Sequence, residues 1–393
     1  MNFVCQPVVI TAAVARSALG NDLAAALEKI LGAETGLRPY AEFAGLSDHY
    51  PGLFAGWLSD RSPMKGRIYG AASNLAIVVA KDVIRQAGWT TNQSAEAWLF
   101  GGSSRANTCE LLAETHGRRP MSKYAASNSM HSETLASVSI ECGIHGPWNM
   151  LSNGCSSGLD AVIWAAHAVA TGLAPRAVVV SVELPLLPKL LRDFHQTGLL
   201  NNNGTNDPYS PRTSGFHPGE AAVALTIEPR GMGPQITGAW MNADAYDPVG
   251  LPADGHGIFP ILSEAWRTAQ AASGGRDPAV CPHASGTHAH GMAEQTALRE
   301  LISTGLCQQV EAHLLKPFTG HTLGASGALD VAILHTFITE GILPPNLPGL
   351  AVSGPGILLP DHARLVNERM ILKISVGMGG HNAIVCLKAP SPL

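Results

Sequence analysis

The residues best suited to chemistry in this sequence lie in the segment 153–160, which reads NGCSSGLD. A short apolar run precedes this segment and an alanine-rich run, 161–166, follows it, which predicts a strand, a tight turn and a buried helix. Small residues around Cys155 would let the chain turn sharply and leave the sulfur exposed at the first turn of the helix, where a thiolate is favoured. Cys155 is therefore a candidate nucleophile, although a free cysteine can equally be a packed core residue.

A second turn of small residues lies in the other half of the chain, at 320–328, where the sequence reads GHTLGASGA. It also opens an alanine-rich helix, and it places His321 at the start of that helix. We therefore expect the second half to repeat the first, so that each half directs one helix start and one reactive side chain to a shared site. The glycines of this stretch could instead mark a helix that packs closely on a neighbour.

The elements that must position these side chains follow from composition and pattern. A chain of 393 residues with 46% hydrophobic and 14% charged residues can bury a large core, and its length suggests about two domains. Short β-branched runs alternate with Ala/Leu-rich helical runs, which predicts a mixed α/β fold with helices on the faces of a sheet. The predicted strands are 8–11, 98–101, 148–151, 177–182, 235–239, 371–375 and 383–387, and the predicted helices are 22–31, 71–86, 261–272, 293–302 and 324–339.

Several classes of function are disfavoured by the same composition. A net charge of -5 argues against a nucleic-acid partner. No apolar stretch reaches membrane-spanning length and the start has no basic region of a signal peptide, so we expect a cytoplasmic protein. Seven cysteines without CxxC pairs predict reduced thiols and no disulfide or zinc framework. The spacing of His288 and His290 is not a recognised zinc pattern, so we expect no metal and no cofactor.

Several ordered motifs extend along essentially the whole chain. They are 8–11 with 19–21 and 36–39, 146–147 with 154–158, 208–212 with 215–216 and 219–221, Lys316 with 319–321 and 324–327, and 377–383. Together they resemble the β-ketoacyl synthase branch of the thiolase superfamily, and specifically the elongating synthases of type II fatty-acid and polyketide systems.

This resemblance implies a duplicated thiolase fold of five layers, αβαβα, assembled as a homodimer or as a heterodimer with a related ketosynthase subunit. The N-terminal half, 1–230, would carry the nucleophile, and the C-terminal half, 231–393, the histidine motif and a glycine-rich gating loop. An acyl carrier protein would load an acyl chain onto the cysteine. A malonyl carrier protein would then lose carbon dioxide, and the resulting enolate would attack the thioester.

Site residues follow from the resemblance position by position. Cys155 corresponds to the nucleophile, His321 to the second active-site histidine and Lys316 to the lysine that supports the site electrostatically. Substrate contacts are expected from Phe216, Met378, Gly379 and Gly380. In the gating loop, Met378 stands where the family generally has phenylalanine and His381 where threonine is common, which points to a specialised polyketide, polyene or fatty-acid-like pathway.

The sequence departs from the family at the first active-site histidine. The family motif there is Ala-His-Gly-Thr, whereas residues 284–287 read ASGT, so Ser285 occupies the histidine position. A serine hydroxyl cannot act as a neutral imidazole does, and loss of one donor to a developing oxyanion costs roughly two decades in rate. Ser285 itself, a water or a neighbouring histidine (His283, His288 or His290) could substitute, or these histidines could be solvated loop residues.

Three functions therefore stay open. The first is a ketosynthase that condenses acyl units on Cys155. The second is a non-elongating acyltransferase that passes the Cys155-bound acyl group to another nucleophile without decarboxylation, and Ser285 favours it. The third is a chain-length-factor-like subunit of a heterodimer, which the retained Cys155 disfavours. A cysteine hydrolase is the weakest reading, since neither Glu311 nor Asp330 has a spacing that identifies it as the acid orienting a base.

Overall fold

The computed structural model describes residues 2–43, 50, 52–66, 68–108, 125–352 and 354–390. Its strands are β1 Val8–Ser17, β2 Arg38–Pro39, β3 Phe54–Ala55, β4 Trp98–Gly102, β5 Trp148–Leu151, β6 Ala177–Glu183, β7 Ala221–Glu228, β8 Gln235–Ala243, β9 Ala279–Cys281, β10 Val310–Glu311, β11 Ile342–Leu343, β12 Ile357–Leu358, β13 Arg364–Leu365, β14 Met370–Val376 and β15 His381–Lys388. Its helices are α1 Leu23–Leu31, α2 Ala71–Gln86, α3 Thr91–Glu96, α4 Ala125–Asn128, α5 Glu133–Cys142, α6 Ser157–Ala170, α7 Pro188–Gln196, α8 Phe259–Ala272, α9 His288–Ser303, α10 Lys316–Thr319 and α11 Ser326–Thr339.

The main sheet shows that the second half of the chain repeats the first. Its nine strands lie in the order β5-β4-β6-β7-β1-β8-β15-β14-β9, and β10 extends the last edge through a parallel bridge between Val280 and Ala312. When the main-sheet strands of each half are numbered along the chain, both halves have the spatial order 3-2-4-5-1. The halves meet where β1 pairs antiparallel with β8. The expected duplication is therefore confirmed.

Helices lie in three layers around the two halves of the sheet. The middle layer is formed by α6 and α11, which pack against each other; α2 and α5 cover the first half from outside, and α8 and α9 cover the second. Three separate apolar clusters fill the spaces between these layers. Strands β6 and β14 are buried along their whole length, because helices cover both of their faces.

The two middle helices cross closely at glycines. A Cβ on Gly158 of α6 would lie 2.8 Å from the carbonyl oxygen of Gly324, and a Cβ on Gly327 of α11 would lie 2.7 Å from the amide nitrogen of Leu159. Any side chain at either position would push the helices apart. The sequence left two interpretations of these small residues open, and both hold. The glycines allow the helices to pack closely, and they also bring the two helix starts together.

The structure differs from the sequence expectations mainly at the ends of elements. Helix α9 begins at His288 and not at residue 293, so His288 and His290 are helical and not loop residues. Helices α6 and α11 are each preceded by a single 3-10 turn, Gly154–Ser156 and Leu323–Ala325. Among the described residues, none of the helices has the length and hydropathy that crossing a membrane requires.

Six of the seven cysteines lie in the described part of the chain. Cys5, Cys142, Cys155, Cys281, Cys307 and Cys386 are free. Cys109 lies outside the described residues.

Candidate functional site

Cys155 lies in the middle of the 3-10 turn between β5 and α6. Gly154 begins this turn with a φ of 61°, which a residue with a side chain rarely adopts. The Ser157 hydroxyl donates to the carbonyl of Gly154 at 2.6 Å and accepts from the amide of Asn153 at 2.9 Å, which fixes the turn. Contrary to the sequence expectation, the cysteine is not exposed: only 8% of it is accessible, at the bottom of a cavity.

His321 reaches the cysteine from the second half of the chain. Its Nε2 lies 3.2 Å from Sγ of Cys155, and its Nδ1 lies 3.0 Å from Oγ of Ser326, the first residue of α11. The His321 ring also makes a T-shaped contact with Phe216, with centroids 5.3 Å apart. The duplicated fold therefore brings together one reactive side chain from each half, as the sequence predicted.

Protonation in this pair is set mainly by burial. Burial raises the pKa of the Cys155 thiol to about 12, against an opposing effect of the Lys316 charge. Burial, together with the Lys316 charge, also holds the pKa of His321 well below its usual value. The resting pair is therefore a thiol and a neutral imidazole, and not the thiolate expected from the helix start. His321 Nε2 is placed to take the thiol proton during attack.

Lys316 belongs to a buried ion cluster under the site. Its Nζ lies 3.5 Å from Oδ2 of Asp330, and Lys373 contacts the same carboxylate oxygen at 2.7 Å. Burial lowers the pKa of Lys316, while Asp330 opposes that shift. Against the larger effect of burial, the charge of Lys316 lowers the pKa of Cys155, so this lysine favours negative charge that develops on the sulfur.

His283 is the second imidazole at the cysteine. Ligand atoms of Cys155, His283 and His321 all lie within 4.8 Å of one another, and the rings of the two histidines make a T-shaped contact with centroids 5.1 Å apart. Burial holds the pKa of His283 well below its usual value, so this ring is neutral as well. Sequence reasoning named His283 as a possible substitute but had no means of choosing it over its neighbours.

The backbone at His283 is held by a buried carboxylate that sequence reasoning missed. Glu294, on α9, accepts hydrogen bonds from the amide of His283 at 2.6 Å and from the amide of Ala284 at 2.8 Å. Ala284 has a φ of 44°, in the left-handed region that alanine rarely adopts. Such strain persists only where surrounding bonds hold it, and it is often found at functional sites.

The remaining residues of this segment have different environments. Ser285 lines the cavity, and its hydroxyl bonds to Thr287 Oγ1 at 3.2 Å and accepts from the Thr287 amide at 3.3 Å. His288 is exposed, whereas His290 is buried in the cavity wall. The catalytic role assigned to Ser285 stays a prediction.

The cavity above Cys155 has a volume of about 230 Å³ and is mostly apolar. Phe216 and Met378 line it, but Gly379 and Gly380 do not. The gating loop approaches the nucleophile turn at Gly377, where a Cβ would lie 2.6 Å from the carbonyl oxygen of Asn153. The other lining residues are Cys155, Phe194, Leu199, Val249, Gly250, Leu251, His283, Ser285, Thr287, Ala289, His290, His321, Leu323, Val376 and Gly377.

A hydrogen bond between the half-buried His381 and the buried Asp160 joins the glycine-rich loop to the start of α6. His381 Nε2 lies 3.0 Å from Oδ2 of Asp160, which also accepts from Asn153 Nδ2 at 2.8 Å. The hydrogen bond with Asp160 raises the pKa of His381 above its usual value. The sequence marked His381 as unusual, but only the fold reveals its partner.

Donor atoms that could hold a metal coincide with the reactive groups. Cys155, His283 and His321 offer one sulfur and two nitrogens close together, a set that suits a soft divalent ion. The sequence predicts no metal here, and the same closeness suits acyl transfer.

Comparison with known proteins adds independent information. The family model described as "Beta-ketoacyl synthase, N-terminal domain" matches residues 6–231, and the model "Beta-ketoacyl synthase, C-terminal domain" matches residues 234–349. A putative polyketide beta-ketoacyl synthase 1 from Streptomyces halstedii is 26% identical over 347 residues, which is 80% of this chain and 81% of the relative. The 3-oxoacyl-acyl-carrier-protein synthase 2 of Vibrio cholerae is 24% identical, covering 97% of this chain and 98% of the relative.

Solved structures agree on the architecture. A type II polyketide ketosynthase, determined in complex with its acyl-carrier protein and bound to the hexaketide, has a TM-score of 0.83 at 20% identity and covers 98% of this chain and 100% of its own. Structural similarity at 20% sequence identity establishes the fold alone. The duplicated five-layer αβαβα thiolase fold is confirmed.

Proposed function

The chain belongs to the β-ketoacyl synthase family, and from that premise we propose that it condenses a Cys155-bound acyl group with a malonyl thioester, using His283 in place of the missing first histidine. One observation is the main support for this proposal. A nitrogen of His283 and a nitrogen of His321 lie within 4.8 Å of each other and of the Cys155 sulfur. Two neutral imidazoles beside a nucleophile are what enolate stabilisation requires.

Loading is the first step. The Cys155 sulfur attacks the carbonyl carbon of an acyl thioester, and its proton passes to Nε2 of His321, 3.2 Å away. This transfer requires the tautomer in which Nδ1–H donates to Ser326 Oγ. Collapse of the tetrahedral intermediate breaks the bond to the carrier sulfur, which takes the proton from His321. The products are the acyl-cysteine thioester and the free carrier thiol.

Condensation is the second step. Loss of carbon dioxide from the malonyl thioester breaks a carbon–carbon bond and leaves an enolate, whose oxygen accepts hydrogen bonds from N–H groups of His283 and His321. The enolate carbon attacks the acyl-cysteine carbonyl, and the cysteine leaves as a thiolate that takes one proton from solvent. For this step His321 needs Nε2–H, which the Ser326 hydroxyl permits by donating to Nδ1 instead.

The partners proposed are an acyl carrier protein, as acyl and malonyl donor, and a second ketosynthase-type subunit, identical or related. Support comes from a structural neighbour that was determined with its acyl-carrier protein and from a polyketide synthase ketoacyl synthase alpha subunit among the curated relatives. The apolar lining of the cavity suits the acyl chain of such a donor.

Two other functions remain as outcomes of the test. A non-elongating acyltransferase would use the same Cys155–His321 pair for loading and would not need His283 to stabilise an enolate. A chain-length-factor-like subunit would not load at all, and the paired Cys155 and His321 disfavour it.

The test follows the cysteine adduct by intact-protein mass spectrometry. The purified chain is mixed with butyryl carrier protein, and malonyl carrier protein is then added; acetyl carrier protein, which has no carboxylate to lose, is the matched control. We expect a butyryl adduct that malonyl carrier protein discharges with formation of 3-oxohexanoyl carrier protein, and that acetyl carrier protein does not discharge.

The contrary outcomes are distinct. An adduct that persists with malonyl carrier protein but is discharged by an added alcohol or amine would identify a non-elongating acyltransferase. A protein that forms no adduct with any acyl carrier would contradict the proposal and leave the chain-length-factor-like role.

A further inference from the structure

His290 is a buried polar side chain that the proposed reaction does not use. It is the third residue of α9, it lines the cavity above Cys155, and only 7% of it is exposed. Within the described part of the chain, neither of its ring nitrogens has a hydrogen-bond partner. Burial lowers the pKa of His290 to about 4, so the ring is a neutral imidazole with one donor and one acceptor.

An imidazole in this state needs a partner. Native proteins leave few buried polar atoms unpaired, so an unpaired imidazole in a cavity wall is placed to bond a molecule that enters the cavity. Much of the cavity lining is apolar, including Val249, Leu251 and Val376. His290 is therefore one of a few polar side chains in a mostly apolar wall, which is how binding pockets fix the orientation of a ligand.

The position of His290 relative to the cysteine indicates which part of a ligand it reaches. Three imidazoles lie side by side: the His321 and His283 rings have centroids 5.1 Å apart, and the His283 and His290 rings have centroids 4.7 Å apart. In the proposed condensation, His283 and His321 hold the oxygen of the malonyl thioester. His290 contacts His283 and lines the same cavity, so substrate atoms that neighbour the group held by His283 are within its reach.

We propose that His290 hydrogen-bonds an oxygen on the β carbon of a thioester substrate. The proposal rests on the proposed function, because the reaction at Cys155 fixes where the thioester carbonyl lies. The β carbon is two bonds from that carbonyl carbon, so an oxygen on it can reach the imidazole that contacts His283. Two substrates carry such an oxygen: a malonyl extender, in its carboxylate, and an acyl chain with a 3-hydroxyl or 3-oxo group.

The experiment compares His290→Leu, which removes the polar ring and keeps an apolar side chain, with His290→Gln, which keeps a donor and an acceptor. His288→Leu, on the exposed side of the same helix, is the matched control. The first arm measures single-turnover loading of Cys155 by the N-acetylcysteamine thioesters of 3-hydroxybutyrate and of butyrate. The second arm measures the KM for malonyl-N-acetylcysteamine in condensation on butyryl-loaded protein.

If the oxygen belongs to the acyl chain, His290→Leu slows loading by the 3-hydroxybutyrate thioester about tenfold, as expected for one lost hydrogen bond in a buried pocket. Loading by the butyrate thioester is then nearly unchanged. If the oxygen belongs to the extender, loading is unchanged for both thioesters and the KM for malonyl rises about tenfold. In either case His290→Gln recovers part of the loss and His288→Leu behaves as the wild type. His290→Met serves as a second apolar variant should the leucine variant fail to fold.

Unchanged loading and unchanged malonyl KM in His290→Leu would overturn the proposal, and so would an equal loss with butyrate and 3-hydroxybutyrate. Failure of the proposed function has a different signature, since the wild-type protein would then form no butyryl adduct or would not condense it.

Discussion

The turns that open helices α6 and α11 have the same backbone form, but only the first carries a reactive side chain at its second position. Each is a 3-10 turn whose first residue has a positive φ, 61° at Gly154 and 42° at Leu323. Cys155 is the second residue of the first turn, and Gly324 is its counterpart in the other. A Cβ on Gly324 would lie 2.2 Å from the amide nitrogen of Ser104, so the second turn has no room for a nucleophile.

The second half supplies the histidines and the lysine of the site in place of a nucleophile. His283, His321 and Lys316 all come from it and all surround the sulfur of the first half. The duplicated frame therefore fixes where two helix starts meet, and the division of roles comes from single side chains that the frame admits or excludes. This is how a fold can be constant while its sites differ.

Removing the nucleophile should have the largest effect. Cys155→Ala is expected to abolish covalent loading, because Cys155 is the only cysteine among the described residues that line the cavity. The measurement is intact-protein mass after incubation with butyryl carrier protein, with an unchanged circular dichroism spectrum as the control for folding. An adduct that forms in unchanged yield in Cys155→Ala would contradict the assignment of Cys155 as the nucleophile.

The equivalent serines Ser157 and Ser326 should differ in what they support. Ser326→Ala removes the partner of His321 Nδ1, so we expect loading to slow about tenfold, the value of one oriented hydrogen bond. Ser157→Ala removes bonds to backbone atoms of the first turn, so we expect about 1–2 kcal/mol lower stability and a smaller effect on loading. Single-turnover loading and urea unfolding of both variants check this, and equal slowing of loading in the two would contradict it.

The smallest expected effect concerns the pairs formed by Asp160 on α6 and Asp330 on α11, the two middle helices. Asp160 pairs with His381, whose pKa is raised, whereas Asp330 pairs with Lys373, whose pKa is also raised and which stays charged near neutral pH. The stabilisation from His381 is therefore complete below pH about 6.5, the usual histidine value, and is lost as pH rises through the raised pKa.

Thermal unfolding of the wild type and of His381→Thr between pH 5 and about 9 measures this effect. The difference in Tm between the two proteins should shrink as pH rises above the usual histidine pKa. Since the buried histidines are common to both proteins, their titration cancels in the comparison. A difference in Tm that does not change with pH would show that the Asp160–His381 pair has no such role.

Much of the fold was predictable because its patterns are local. Helix α2 has the bounds that the apolar spacing predicts, and β5 matches as well. Strand β7, AAVALTIE, was missed because both of its faces are buried and it shows no alternation. Cys155 and His321 were found from motifs of small residues at helix starts.

The rest of the site depends on contacts that no local sequence pattern specifies. The backbone at His283, the proposed substitute for the missing histidine, has a left-handed residue at Ala284 and is held by Glu294, on the next helix. Neither feature has a sequence signal that identifies it alone. The same holds for the pairing of His381 with Asp160, 221 residues apart.

The measurement that tests the central claim most directly is the rate of condensation with malonyl carrier protein in His283→Ala, alongside its rate of loading by butyryl carrier protein. We predict a fall of about 10²–10³ in condensation with loading changed by much less, since loading uses Cys155 and His321. The exposed His288→Ala variant should match the wild type in both rates. Condensation at the wild-type rate in His283→Ala would contradict the account.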